Sequence, residues 1–142
     1  MISQVSNSIW RGPRPQPTDF PAIKSNFVTV ISLEGPEEDA AEAIELSPVR
    51  VVSMPISDWP DIYWSGITQD YLNEILAAVV NSPKPVLVHC QHGEDRTGLV
   101  IAAYRVCVNG WSKDSAMAEA LRYGYRRWLN YGLNKTWASF TK

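Results

Sequence analysis

Cysteine and histidine are scarce in this 142-residue chain, two of each. None of them falls at zinc-ligand spacing, so no metal and no other cofactor is expected. An excess of positive charge is missing too. Thirteen Lys and Arg stand against fifteen Asp and Glu, for a formal net charge of −2. A nucleic-acid-binding domain would carry more cation on one face, so no nucleic-acid partner is expected. The longest apolar run, around Leu99 to Ala103, is far short of the ~20 residues that span a bilayer. The first residues, Met1-Ile2-Ser3-Gln4-Val5-Ser6, lack the basic start and apolar core of a secretory signal, and a cytoplasmic location is the expectation. Repeats, linkers and low-complexity tracts are absent as well. That leaves a single domain over residues 1–142, expected as a monomer.

What is present is ordinary globular material, 45% hydrophobic and 20% charged, enough for one real core. Ser8-Ile9-Trp10 reads as a first strand. Thr18-Asp19 caps a short helix to Phe27. Val28 to Leu33 is a β-branched strand. Gly35-Pro36-Glu37-Glu38-Asp39 opens a helix to about Leu46, with Pro in the first turn and acids at its positive end. Val49 to Ile56 is the next strand, and Ser57 to Asp61 is loop because Pro60 interrupts it. A helix beginning at Ser65 or Thr68 runs to Val80, with Tyr71, Leu72, Ile75, Leu76 and Val79 on one face. Val86 to His89 is a central strand, followed by a loop and a helix to Asn109-Gly110. Ser112 caps a helix that ends at Tyr123-Gly124, and a last helix is expected from Tyr125 to Phe140. Strands that alternate with helices and are uniformly apolar predict an α/β fold, with a mostly parallel central sheet flanked by helices on both faces.

The most informative stretch is His89-Cys90-Gln91-His92-Gly93-Glu94-Asp95-Arg96-Thr97-Gly98. A strand leads in and a helix leads out. Such a loop collects backbone N–H groups and a helix N-terminus around one spot, which makes an anion cradle. Cys90 at its mouth is expected as a thiolate nucleophile. Arg96 at its far end can grip a phosphate through two parallel hydrogen bonds. Gln91, His92, Gly93, Glu94 and Asp95 supply the intervening phosphate-binding backbone. Gly93 and Gly98 stand where the chain must crowd the anion or take positive φ. The second cysteine, Cys107, lies about 15 Å further along the helix, too far for a bridge to Cys90. It reads as a buried, inert residue.

The run His-Cys-x-His-Gly-x-Asp-Arg-Thr-Gly resembles the phosphate-binding loop of the Cys-dependent protein tyrosine phosphatase superfamily. Its wording is most similar to the small bacterial, fungal and plant members of the dual-specificity branch. The resemblance implies that fold and a metal-independent, two-step reaction through a phosphocysteine. It also implies that the Thr97 hydroxyl helps the sulfur leave, and that His89 points away from the pocket and fixes the loop by hydrogen bonding. Trp10-Arg11-Gly12-Pro13-Arg14-Pro15 is similar to an aromatic-Arg-x-x-x-Pro run near the start of the relatives. It is expected to turn the chain beside the pocket, with a second phosphate on Arg11 or Arg14 as the minority reading.

Cleaving a phosphate ester also calls for a general acid on the leaving oxygen. Asp58 stands 32 positions before Cys90 (90 − 58) and follows a strand ending in Pro55-Ile56, as the acid-loop aspartate does in many dual-specificity relatives. It is the first choice. Asp61 is the second. Asp95 is a third, since some myotubularin-like phosphatases carry Asp in that place, although loop organisation is its favoured role here. Arg122, Arg126 and Arg127, interleaved with Tyr123, Tyr125 and Trp128, read as a solvated helix face with aromatic packing.

Substrate class stays open between phosphorylated protein and small phosphate esters. Glu94 and Asp95 near the rim would repel a polyanionic headgroup, which favours phosphotyrosine, with phosphoserine and phosphothreonine also accommodated. Inositol pyrophosphates or phosphoinositides are the alternative, because the fungal and plant relatives include such enzymes. A non-catalytic phosphopeptide-binding module is less favoured, as Cys90 and Arg96 are both present.

Overall fold

The computed structural model describes residues 1–57 and 65–142. Five strands form one sheet: β1 (Ser3–Gln4), β2 (Ile9–Gly12), β3 (Thr29–Ser32), β4 (Arg50–Ser53) and β5 (Val86–His89). Their spatial order is β1-β2-β5-β3-β4. β1 pairs antiparallel with β2, and every other pairing is parallel. Among the described residues six α-helices accompany them: α1 (Phe20–Asn26), α2 (Pro36–Leu46), α3 (Gln69–Asn81), α4 (Arg96–Cys107), α5 (Lys113–Arg122) and α6 (Tyr131–Ser139). A 3-10 turn, Pro17–Asp19, leads into α1.

The uniformly apolar strands are the buried ones. All four residues of β3 and all four of β5 are buried. Alternate side chains of β5 enter two cores. Val86 and Val88 join Ile9, Ile31, Leu72, Ile75, Leu99 and Val100 on the face covered by α3 to α6. Leu87 joins Ile23, Val30 and Leu46 on the face covered by α1 and α2. Burying each such side chain contributes about 1.5–3 kcal/mol, so a one-residue slip of β5 would be heavily penalised. The two-faced parallel sheet expected from the sequence is therefore the observed architecture.

Two helix starts follow side-chain caps, whereas Asp19, expected as a cap, stands at the N-cap of α1 without a side-chain capping bond there. The Thr68 hydroxyl accepts from Tyr71 N at 3.1 Å, so α3 starts after Thr68 and not at Ser65. The Ser112 hydroxyl accepts from Ser115 N at 3.1 Å and starts α5. Tyr71 is half-buried, and its hydroxyl donates to the Pro55 carbonyl at 2.8 Å.

Three boundaries differ from expectation. β1 was not foreseen, since Ser3-Gln4 carries no apolar alternation. β4 stops at Ser53, although Met54 N and Ile56 N still donate to the Ser32 and Leu33 carbonyls. The spacing of Arg50 N on Val28 O and Met54 N on Ser32 O would carry Ile56 N to Glu34 O, and its bond to Leu33 O instead marks where the regular register ends. The last helix starts at Tyr131, six residues later than Tyr125. Residues 125–130 are held in a turn by a side chain of the loop after β5, described next.

Sheet register sets the site. Gly12, His89 and Ser32 lie side by side at the carboxyl ends of β2, β5 and β3. The chain segments that follow these strands therefore converge at one edge. This is where parallel α/β sheets place their ligand crevices.

Candidate active site

Cys90 follows β5 directly and is 2% exposed. Arg96 is the first residue of α4 and is 5% exposed. The five residues between them form the loop. Gly93 takes φ +74°, and a Cβ there would stand 2.5 Å from the Gly12 backbone carbon. Only glycine fits both the conformation and the contact. Gln91 and His92 are exposed, while Glu94 and Asp95 are half-buried. Gly98 has ordinary helical geometry and leaves room for the Tyr125 ring.

Two loop carbonyls are held by β2 and the segment that follows it. Arg14 N donates to the Gln91 carbonyl at 3.1 Å. Arg11 Nη2 donates to the Gly93 carbonyl at 2.9 Å. A peptide whose carbonyl is held outward tends to turn an N–H inward, which is the arrangement an oxyanion requires.

Arg96 is braced from the opposite side. Its Nη1 donates to the carbonyls of Leu33 (3.2 Å) and Ile56 (3.1 Å) at the ends of the third and fourth strand segments. A buried guanidinium needs several acceptors to offset desolvation, and these backbone oxygens fix its plane. Thr97 Oγ1 is buried with no hydrogen-bond partner among the described residues.

His89 lies fully buried behind the loop. Its Nε2 donates to Glu42 Oε1 at 2.8 Å, and its Nδ1 faces the Cys90 carbonyl at 3.3 Å. Glu34 packs beside it, 3.5 Å from Nδ1. Arg14 closes this cluster with a bidentate grip on Glu34, and the bond holds the Arg14 guanidinium above its usual pKa. Glu34, Glu42 and His89 place three potential metal ligands within 4.8 Å of one another. They are, however, already bonded to each other and to Arg14.

Asp95 faces away from the cradle. Its carboxylate accepts from Arg126 N (2.9 Å), Arg126 Nε (3.1 Å), Arg126 Nη2 and Asn130 Nδ2 (2.7 Å). These four donors gather residues 126–130 into a turn and delay α6. Tyr125 packs beneath this turn, and its hydroxyl donates to Asn134 Oδ1 at 2.8 Å. Burial raises the Tyr125 phenol well above the usual tyrosine range, helped by the nearby Asp95 charge. Glu94 folds against Gly124, whose φ is +100° and whose missing Cβ leaves the space that the carboxylate occupies.

Cys90 and Arg96 thus close one loop, with Thr97 next to Arg96 and His89 behind. Asp58 and Asp61 lie outside the described residues. Arg14 is engaged by Glu34 and is not poised for a second phosphate. Cys107 is half-buried rather than buried, and both cysteines are free thiols. Desolvation raises the Cys107 thiol above its usual pKa. Sequence reasoning did not single out Glu34, Glu42 and Asn130. Their partners lie 20 to 47 residues away, and no local pattern announces such pairs.

A family model described as the tyrosine phosphatase family matches residues 1–131. The chain belongs to the tyrosine phosphatase family. Among its relatives is the dual specificity protein phosphatase TpbA of Pseudomonas aeruginosa, 33% identical over 125 residues, covering 87% of this chain and 55% of TpbA. Inositol diphosphatase DSP3 of Arabidopsis thaliana is 25% identical over 136 residues, covering 94% of this chain and 66% of that protein. The chain spans about half the length of the first relatives it matches. The crystal structure of TpbA superposes with a TM-score of 0.72 at 26% identity, over 99% of this chain and 84% of that one. Tk-PTP in its active form has the same fold, with a TM-score of 0.77 over 98% of this chain and 97% of that one, at 22% identity. Both structures share the overall fold of this chain.

Proposed function

We propose that this protein is a phosphomonoester hydrolase of the tyrosine or dual-specificity type, working through a phosphocysteine on Cys90. One observation carries the reading. Cys90 and Arg96 bracket a loop whose Gln91 and Gly93 carbonyls are held by the Arg14 backbone, just after β2, and the Arg11 side chain, within it.

In the first step the Cys90 thiolate attacks phosphorus in line. The S–P bond forms as the bond to the leaving oxygen breaks, and Asp58 gives that oxygen a proton. In the second step water attacks phosphorus and the same aspartate takes its proton. The S–P bond breaks, the thiolate is restored and phosphate departs. The loop N–H groups and Arg96 stabilise the phosphoryl charge throughout, the role that a metal plays in other phosphatases. The Thr97 hydroxyl, buried and without a partner among the described residues, is suited to donate to the departing sulfur. The four donors on Asp95 leave no oxygen lone pair aimed at a leaving group, which supports its loop-organising role and favours Asp58 as acid.

Phosphotyrosine is the first substrate class. The relative TpbA is named a dual specificity protein phosphatase, and a structure of TpbA is described as a complex with pTyr. The geometry gives a specific reason to keep inositol pyrophosphates as a second class. Asp95 is paired with Arg126, so of the two acids expected to repel a polyanion only Glu94 has no ion-pair partner among the described residues. DSP3 is named an inositol diphosphatase.

The test is phosphate release in EDTA by wild type and Cys90→Ser, on a phosphotyrosine peptide and on an inositol pyrophosphate at matched concentration. Faster Cys90-dependent release from the peptide is expected. Faster release from the inositol substrate would move the assignment to the second class, and release by Cys90→Ser would refute the covalent mechanism.

A further inference from the structure

We infer that Arg11 is a positioning residue of the phosphate cradle: its buried guanidinium holds the Gly93 carbonyl and sets beside the loop a cation that the Cys90 thiolate or a bound phosphate complements.

Arg11 sits at the third position of β2, opposite Val88 of β5. It is 2% exposed, which is rare for arginine unless a charge partner is present. No carboxylate forms an ion pair with it among the described residues. Glu119, the carboxylate that acts most strongly on it, is already held by Arg105 through two bonds of 3.0 Å. Arg11 instead gives Nη2 to the Gly93 carbonyl at 2.9 Å, stacks 4.4 Å from the Tyr123 ring centroid, and keeps Nη1 buried with no partner among the described residues.

Such an arrangement is costly as an end in itself. A buried cation with an orphaned N–H destabilises the fold by the desolvation of that group, and the ring offsets only part of it. A charge of opposite sign in the cradle removes the deficit. Arg11 and Cys90 attract one another when the sulfur is ionised, and a phosphate seated on the Gly93 peptide would add more negative charge there. Arg11 also differs from Arg96 in what it can reach. It is walled off from solvent and holds the outside of the loop, so it acts through Gly93 and through its field and does not touch the substrate.

The inference deepens the phosphatase reading, and its test does not need turnover. Cys90 alkylation by iodoacetamide at pH 6 is followed in wild type, Arg11→Gln and Arg11→Lys, each with and without inorganic phosphate, with Cys107→Ser as background. Arg11→Gln is expected to slow alkylation about tenfold, as removal of one nearby cation does, and to raise the phosphate concentration that protects Cys90 about tenfold. Arg11→Lys, which keeps the charge, is expected to restore alkylation to within about threefold of wild type. Equal alkylation and protection in Arg11→Gln, with only a lower melting temperature, would reduce Arg11 to a packing residue and overturn the inference. If Arg11→Gln does not fold, Tyr123→Leu serves: loss of the stacking ring is expected to weaken phosphate protection, and unchanged protection would overturn the inference. A wild type that phosphate never protects would instead refute the phosphatase reading itself.

Discussion

Arg96 Nη1 donates to the carbonyl of Ile56 at 3.1 Å, joining the start of α4 to the residue two before Asp58. The same nitrogen holds Leu33 O. The proposed phosphate clamp is therefore also a brace between the loop after β5 and the segment that carries the proposed acid. A lysine has one nitrogen and no planar fork, so it cannot hold both carbonyls and a phosphoryl group together. Arg96→Lys is expected to lower kcat/KM by at least about 100-fold, a loss comparable with removal of an oxyanion-hole donor. Steady-state kinetics with circular dichroism as a fold control checks this.

The three candidate aspartates separate by what their loss damages. Asp58→Asn is expected to lower kcat by about 100-fold or more, the contribution of a positioned proton donor, with little change in stability. Asp61→Asn is expected to cost far less. Asp95→Ala removes an acceptor that serves four donors. The Arg126 side chain is partly exposed, so the ion pair is discounted, and a loss of about 2–3 kcal/mol follows from the bonds to the backbone and Asn130. Urea unfolding beside kinetics measures both. A larger kcat loss in Asp61→Asn than in Asp58→Asn would reassign the acid.

Tyr125 makes stability depend on alkaline pH. Burial raises its phenol above the unfolded value, so the folded state keeps its proton where the unfolded chain gives it up. Stability from this group is complete below the ordinary tyrosine pKa of about 10 and is lost as pH rises above it. Tyr125→Phe is expected to flatten the decline in unfolding free energy between about pH 9 and 11. At neutral pH it is expected to cost about 1 kcal/mol for the bond to Asn134. Urea denaturation across that range measures the slope.

Much of this was legible because the signals are local. Val86-Leu87-Val88 announced a buried strand, Thr68 and Ser112 announced helix starts, and the Cys90 to Arg96 run announced the loop between a strand and a helix. The start of the last helix was not legible. Tyr125 to Asn130 has adequate helix-forming residues, but Asp95 takes the Arg126 N–H from 31 positions away, and tertiary hydrogen bonding overrides propensity. Arg11 was legible as a motif residue but not as a buried cation, since burial depends on Tyr123 and Gly93 arriving from other elements. The charge of Asp95 misled for the same reason, because its neutralisation by Arg126 is a property of the fold.

The most direct test of the account is to quench the protein in acid during turnover of a phosphotyrosine peptide and map phosphate by mass spectrometry. The account predicts a single phosphoryl group on the peptide containing Cys90, increased in Asp58→Asn with a good leaving group and absent in Cys90→Ser. Turnover with no phosphoryl group on Cys90 in either the wild type or Asp58→Asn would contradict it.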